Sequence, residues 1–477
     1  MKYLFFSFYN KSPILETEGE IIKNLLKNKD NEVHIFYLSQ ILIQDAPFIW
    51  PKKKRIYKFL DFMLPEKKML GLINNERLIV HNFDISEKKN FFLSYKNNND
   101  LKKIKYKNFD IGLGILSSLI TTEKNPNIQT KEFKKRIDYL LQSGSNFFDF
   151  ASEKIDLIKP DKIYLFNSRF LYPRAVLRAA QRKKITYQVF ERGSRFNTYY
   201  IYDRSLLSIK DWEYNVNKVW TLQKNKKKMF NDIKRWFKSR IKGSAKFQHW
   251  RNYTKNQKKN FIHKNKKLKI VVFFASSEDE YAANENIYKS YFKSQVGAIK
   301  AAINVIKKLK NHILIIRPHP RLISENFKKE MHTLENLKKY SIKNKIIFHD
   351  AGTKINTYSL IKCADTILSL GSTTGLEAAY MGKKHILLGR ARYGFLKFSY
   401  EAKNKNLLKK FILSKKIKNN SGIFKFLNYI INRNIKFKYF QFYKSTEIEP
   451  YRGKFMGKDL MKKNIFEKII LKFLKIY

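Results

Sequence analysis

Short apolar runs recur along this chain, each followed by a longer segment in which apolar positions return every three or four residues. Tyr3–Tyr9, Glu32–Leu38, Asp161–Phe166 (DKIYLF) and Ile185–Phe190 (ITYQVF) predict strands, and Glu18–Lys27, Phe133–Leu141 and Tyr172–Lys183 predict helices. Pro173 suits the first turn of the last of these. A strongly basic, polar stretch from about Lys224 to Lys267 interrupts the rhythm, which then restarts. Strands are expected at Lys269–Phe274 (KIVVFF), His312–Ile316, Lys345–His349, Thr366–Leu370 (TILSL) and His385–Leu388. Between them, Ser294–Leu309, Asn326–Tyr340, Asn356–Cys363 and Thr374–Met381 read as helices. This alternation predicts an α/β fold with two Rossmann-like domains, each a parallel sheet covered by helices. The boundaries fall at 1–255 for the first domain, 256–268 for a basic linker and 269–440 for the second domain. A helical tail, 441–477, is expected to pack on the first domain. Residues 45–150 are harder to read, because Pro47, Pro51 and Pro65 break the early pattern.

Composition changes this picture in three ways. Of 477 residues, 43% are hydrophobic and 15% aromatic, which supplies real cores and excludes a disordered polycation. The single cysteine, Cys363, excludes a disulfide framework and a thiolate metal cluster. Lys and Arg total 98 against 40 acids, a net charge of +58, but 79 of the 98 are Lys and only 19 Arg. Nucleic-acid readers lean on arginine, so the excess points to compositional drift and to an anionic membrane surface ahead of nucleic acid. No apolar run approaches 18 residues, and the MKYLFFSFYN start lacks a small-residue cleavage site, so a buried first strand in a cytoplasmic protein is expected.

In an open parallel sheet, ligands sit at the carboxyl ends of the strands. After ITYQVF comes Glu191-Arg192-Gly193-Ser194, and after KIVVFF comes Ser276-Ser277 followed by Glu278-Asp279-Glu280. After HILII comes Arg317-Pro318-His319-Pro320, and after TILSL comes Gly371-Ser372-Thr373-Thr374-Gly375, opening into a helix that carries Glu377. The last of these suits an anion, because glycine permits a tight turn and the helix offers free N–H groups; it equally suits an ordinary N-cap. Two prolines hold His319 near an always-charged guanidinium, an arrangement suited to phosphate or to a structural turn. Glu191 is placed to act as a general base, while Arg192 beside it would lower its pKa. The acids around Asp279 suit a sugar hydroxyl, a catalytic base or a helix N-terminus. No spacing makes a metal site.

The stretches SSEDE (Ser276–Glu280), Gln295, RPHP (Arg317–Pro320), Tyr358-Ser359-Leu360 and GSTTGLEAAYMGKK (Gly371–Lys384) resemble the bacterial capsule polysaccharide biosynthesis family. In the first half, KPDKIYLFNSR (Lys159–Arg169) and ERGS (Glu191–Ser194) do so too. The resemblance implies glycosyltransferases of the GT-B fold, with two Rossmann-like domains facing each other across a cleft. The order Glu191-Arg192-Gly193, His319-Pro320, Ser372-Thr373-Thr374 is similar to that of bacterial sialyl- and polysialyltransferases, and capsule transferases of CMP-linked keto-deoxy-octulosonate share the His-Pro segment. Arg192 departs from the pattern, which has a second acid there. Carried over, the likeness implies a sugar transfer from a nucleotide donor, CMP-linked favoured, to a glycan or glycolipid acceptor, with no metal or other cofactor. Glu191, Asp279 and His319 would be catalytic. Arg317, His319, Ser276, Ser277, Ser372, Thr373, Thr374 and Glu377 would bind the donor, and Asn167, Arg169 and Arg192 the acceptor. The competing readings are a CDP-polyol phosphate transferase, an epimerase of this fold, and a basic non-enzymatic protein that binds membrane or nucleic acid.

Overall fold

The computed structural model describes residues 1–9, 12–37, 65–81, 91, 93–123, 125–195, 197–242, 257, 259–261, 267–277, 287–323, 328–340, 345–419, 421–444, 452–463, 465 and 467. In chain order the strands are β1 (Lys2–Ser7), β2 (Glu32–Tyr37), β3 (Leu78–His81), β4 (Lys162–Phe166), β5 (Thr186–Arg192), β6 (Thr198–Tyr202), β7 (Lys269–Phe274) and β8 (His312–Arg317). They continue with β9 (Ile346–Phe348), β10 (Thr366–Ser369), β11 (Lys384–Leu387), β12 (Tyr400–Glu401), β13 (Ile435–Lys436), β14 (Phe440–Lys444) and β15 (Arg452–Phe455). The chain divides into two units, one of Met1–Ser118, Gln129–Ser205 and Asn434–Tyr477, the other of Leu119–Ile128 and Leu206–Arg433.

The first unit holds a sheet in the order β13-β6-β5-β4-β1-β2-β3. The five strands β3, β2, β1, β4 and β5 run parallel, and β6 and β13 close the other edge antiparallel. Strand β1 is buried at every position after Lys2, which is why it reads as an unbroken apolar run rather than an alternating one. Its rings stack on neighbouring strands, Phe6 on Phe36 at 5.3 Å and Phe5 on Tyr164 at 5.1 Å. The expected strands and helices of this half are present, with ends shifted by a few residues; helix Lys134–Ile158 is far longer than its predicted core.

The second unit has six strands, all parallel, in the order β12-β11-β10-β7-β8-β9. Alternate residues of β7 feed two separate cores. Val271 and Phe273 pack with Ile299, Ile303 and Leu314 on one face; Ile270, Val272 and Phe274 pack with Ile313, Ile361 and Ile367 on the other. Both faces are therefore covered, as the apolar KIVVFF run requires.

Three features refine the sequence reading. Helices Ile209–Thr221 and Lys226–Ile241, counted there with residues 1–255, fall in the second unit. Trp212 meets Tyr429 edge-on at 5.9 Å and Phe237 stacks on Tyr380 at 4.2 Å. The buried stripe Met229, Ile233, Phe237 and Arg240 is sparse among lysines, which hid the helical period. The expected linker 256–268 is packed where it is described: Lys259 donates its N–H to the Lys354 carbonyl at 2.9 Å, and Phe261 donates its own to Ser359 Oγ at 2.8 Å. Residues 434–477 belong to the first unit, where Glu20 accepts the N–H groups of Lys438 and Tyr439 at 2.8 and 2.7 Å. The described part of that segment holds β13 and the antiparallel β14–β15 pair, where a helical tail is expected over 441–477; residues 445–451, 464, 466 and 468–477 of that tail lie outside the described residues.

Helix Ile14–Leu25 buries three carboxyl groups in a protein that has few acids to spare. Burial pushes Glu16 up to about 7 and Glu18 up to about 8, the latter reinforced by the nearby Glu66. Between the ordinary carboxyl range and these values, the folded state holds protons that the unfolded chain has released, so stability falls as pH rises. Thermal melts should therefore show a midpoint that drops between about pH 5 and pH 8. Glu18→Gln should flatten that drop; an unchanged slope would mean that Glu18 does not carry it.

Candidate functional site

The order β9-β8-β7-β10-β11-β12 puts a topological switch point between β7 and β10, where the chain leaves the central strand in both directions. Register aligns Phe274 with Arg317 on one side and with Ser369 on the other. Ser276 and Ser277, Arg317 and His319, and Ser372 to Thr374 thus follow three adjacent strands at one sheet edge. The sequence reading had grouped these residues, and the fold brings them to that edge.

Arg317 is the most telling of them. Its side chain is 2% exposed and Nη1 donates to the carbonyls of Asp350 and Ala351 at 3.1 and 3.3 Å. Nε and Nη2 are buried without a hydrogen-bond partner. Burial lowers its pKa to about 10, so it stays charged at neutral pH. A buried guanidinium with two unspent donors is costly unless an anion completes it. His349 beside it is neutral: burial, then the Arg317 charge, pulls its pKa down to about 4. Ser276 is held by Gln295, whose Oε1 accepts the Ser276 N–H at 2.7 Å while its Nε2 donates to the Ser276 carbonyl at 3.0 Å. The Ser276 hydroxyl is itself buried with no hydrogen-bond partner. His319 is half-buried at the exit of β8, and its carbonyl accepts the Leu322 N–H at 3.0 Å.

The Gly371–Gly375 turn opens helix Thr373–Tyr380. Gly371 has φ +134°, where a side chain is strained, and an added Cβ would lie 3.2 Å from the Tyr288 ring. Ser372 caps the helix, accepting the Thr374 N–H at 3.2 Å, and its carbonyl accepts the Tyr393 hydroxyl at 2.8 Å. Thr373 and Thr374 are half-buried at that terminus. Beneath it lies His385, bonded to Ser369 at 2.9 Å and to Ser399 at 2.7 Å and kept neutral by burial, its pKa near 3. A Cβ at Gly375 would come within 2.2 Å of its Nε2. His385, Tyr393 and Gln295 were not assigned to the site from sequence, since apolar runs say nothing about which polar group sits beneath a turn.

Glu377 is placed differently from its expected donor contact. Both its oxygens are engaged inside the second unit, by Arg240 Nη2 at 2.5 Å and by the Tyr358 hydroxyl at 2.7 Å. Asp279, with Glu278 and Glu280, lies outside the described residues.

In the first unit, Asn167, Arg169, Glu191 and Arg192 gather at the carboxyl ends of β4 and β5. Glu191 extends β5 opposite Tyr200 of β6. Its Oε2 accepts the Asn167 amide at 2.5 Å and its Oε1 the Arg192 backbone N–H at 3.0 Å. Asn167 and Ser168 have φ of 59° and 56°, two successive left-handed residues, a strained turn of the kind that accompanies functional sites. Arg169 lies over the Phe170 ring at 4.7 Å.

Residues 205–421 match the family described as capsule polysaccharide biosynthesis protein, a stretch that lies almost wholly in the second unit. No curated protein matches the chain. Among solved structures, it is similar to the β-Kdo 2,4-transferase of Thermosulfurimonas dismutans KpsC, at 12% identity and TM-score 0.36, covering 65% of this chain and 86% of that one. The β-Kdo 2,7-transferase of the same KpsC aligns at 14% identity and TM-score 0.37, covering 68% and 89%. A UDP-GlcNAc 2-epimerase of Methanocaldococcus jannaschii aligns at 12% identity and TM-score 0.27, covering 91% and 99%. Similarity at this level leaves the activity to be argued from the site.

Removing one partner from the Arg240–Glu377 pair leaves a buried charge alone, which costs about 3–5 kcal/mol. Glu377→Gln should lower unfolding free energy by that order in denaturant titration. Arg240→Met combined with Glu377→Leu should recover part of the loss; a Glu377→Gln variant as stable as the parent would remove the pair from the stability of this unit.

Proposed function

We propose that this chain, whose residues 205–421 carry the sequence pattern of the capsule polysaccharide biosynthesis family, is a glycosyltransferase of the GT-B type acting in surface-polysaccharide assembly. The observation that carries the reading is Arg317: a buried cation with two unspent donors, on the same sheet edge as the Ser372 helix terminus. Together they suit the phosphate of a nucleotide-sugar, with a CMP-linked donor favoured by the His319-Pro320 and Ser372-Thr373-Thr374 segments. As the glycosidic bond to the donor breaks, negative charge grows on the leaving phosphate. Fixed donors already in place stabilise that charge without reorganising, and this is the main catalytic task. The helix terminus supplies backbone N–H groups and Arg317 supplies full charge. His319 and the Ser276 and Ser277 hydroxyls complete the polar lining.

The acceptor hydroxyl must lose a proton as it attacks. Glu191, oriented by Asn167 and the Arg192 N–H, takes it; Asp279 is the second choice. Asn167, Arg169 and Arg192 of the first unit are the residues suited to bind the acceptor. The acceptor is a glycan or lipid-linked glycan. The +58 charge supports work at an anionic inner-membrane surface from the cytoplasmic side. No helix among the described residues is long and apolar enough to cross a membrane.

Calorimetric titration with CMP, CDP, UDP and GDP should find one nucleotide bound, and Arg317→Ala should weaken it by at least about tenfold, or 1.4 kcal/mol. If none of the four binds, the donor site is misassigned. Glu191→Gln should abolish turnover and spare nucleotide affinity. Turnover like that of the parent would move the base to Asp279.

A further inference from the structure

Helix Lys226–Ile241 (KKKMFNDIKRWFKSRI) has one buried face and one exposed face. Met229, Ile233, Phe237 and Arg240 are buried, and the other side presents Lys226, Lys227, Lys228, Lys234, Arg235 and Lys238 to solvent. Its single acid, Asp232, is engaged by Arg235 at 2.5 Å. The first turn carries lysines and no acid, and Asn225 caps it by accepting the Lys228 N–H at 2.8 Å. Cations at a helix N-terminus oppose the macrodipole, and Lys234 and Lys238 repel each other one turn apart. In water this arrangement costs the helix stability; against an anionic surface the same charges are attracted.

The exposed face is not purely basic. Leu222, in the turn before the helix, is 68% exposed, and Phe230 within it is 43% exposed. Phe230 meets the ring of Phe424 edge-on at 5.0 Å, and the next residue, Lys425, lies over the Trp220 ring at 5.9 Å. Trp220 and Phe230 thus meet at the start of helix Ser421–Asn432, with Leu222 two residues past Trp220. A recess of ≈ 550 Å³ follows the lysine face, and its described walls are Asn225, Lys227, Lys228, Asn231, Lys234 and Arg235. Tyr380 ends the helix that the Ser372 turn opens, and it stacks on Phe237 at 4.2 Å and meets Phe424 edge-on at 6.1 Å. The elements that carry the exposed face therefore pack at the far end of that helix, about 12 Å along its axis from the turn.

We propose that the lysine face of helix Lys226–Ile241, together with Leu222 and Phe230, is the surface by which this protein docks on a bilayer of anionic phospholipid. The lysines meet the headgroup phosphates, while Leu222 and Phe230 enter the apolar boundary beneath them. A nucleic acid would use the cations but not the exposed apolar side chains, and the fork of Arg235 is already held by Asp232. The use of this contact, bringing a lipid-linked acceptor to the enzyme, rests on the glycosyltransferase reading; the contact itself does not.

The full chain is floated with vesicles of phosphatidylcholine alone and of phosphatidylcholine mixed with phosphatidylglycerol, and its tryptophan emission is followed. The parent should bind the mixed vesicles, weaken as salt rises, and shift its emission to shorter wavelength; Trp220→Phe should reduce the shift. Lys226→Gln, Lys227→Gln and Lys228→Gln combined should weaken binding at least about tenfold. The same charge change at Lys103, Lys105 and Lys135, exposed in the first unit, should weaken it less than about threefold. Leu222→Ser with Phe230→Ser keeps the charge and should lose the emission shift and most of the vesicle affinity. Equal losses in the two lysine triplets would reduce the attraction to net charge and overturn the surface. Polyuridylate bound as tightly as the mixed vesicles, with the serine pair without effect on either, would make this a polyanion site and overturn the bilayer. No binding of the parent to mixed vesicles would overturn the proposal outright. Nucleotide titration keeps the two readings apart: its failure in the parent bears on the donor site alone, and the Lys226–Lys228 variant should bind nucleotide as the parent does.

Discussion

Parallel strands can be joined only by crossovers, and a right-handed crossover commits each connecting helix to one face of the sheet. In the order β9-β8-β7-β10-β11-β12 the chain builds outward from β7 to one edge, then returns to build outward on the other side. The loops after β7 and β10 therefore turn to opposite faces and leave a crevice between them. Ser276 and Ser277 follow β7, and Gly371 to Thr374 follow β10. Arg317 ends β8, one strand away. The positions of the candidate donor-binding groups depend on that single topological fact. The first unit repeats it, with β1 and β4 adjacent and Asn167 and Ser168 just past β4.

Charge is handled in two ways in this molecule. Most of the +58 sits on lysines, whose flexible stems keep their ammonium groups in water. The buried ions are built mainly from arginine and carboxylate. Burial alone would raise the pKa of Asp110, but hydrogen bonds from Arg178 and Arg174 hold it well below the usual carboxylate range. Arg240 joins Glu377 and Tyr358 in a second closed network. Arg317 breaks this pattern, since it is as deeply buried as the others but bonds only to two carbonyls. That contrast, within one chain, is what separates a structural guanidinium from one suited to receive a ligand.

Much of the architecture was readable before any coordinates. Strands covered on both faces must be apolar at every position, so β1, β4, β7 and β8 stood out as short runs. The missed elements are those whose periodicity was diluted. Helix Lys226–Ile241 buries only a narrow stripe among lysines, and β13 is a two-residue strand whose partner, β6, lies far away in sequence. Glu377 shows the limit of reasoning from strand ends. It lies five residues past Ser372, close in sequence to the phosphate turn, but the helical rotation carries its carboxylate into the core beside Arg240.

The amino-acid sequence by itself determined the α/β class, most strand positions in both halves, and which loops carry polar groups at strand ends, because these depend on local periodicity and on glycine and proline chemistry. Only the tertiary structure decided which of those polar groups are spent. Ser372 caps its own helix, Glu377 is closed in an ion pair, Glu191 is oriented by Asn167, and Arg317 retains two donors. It also brought Arg392 and Arg433 to one side chain, Trp212, from three separate parts of the chain. Hydrogen-bond satisfaction and burial are properties of neighbours in space, and no pattern along the chain records them.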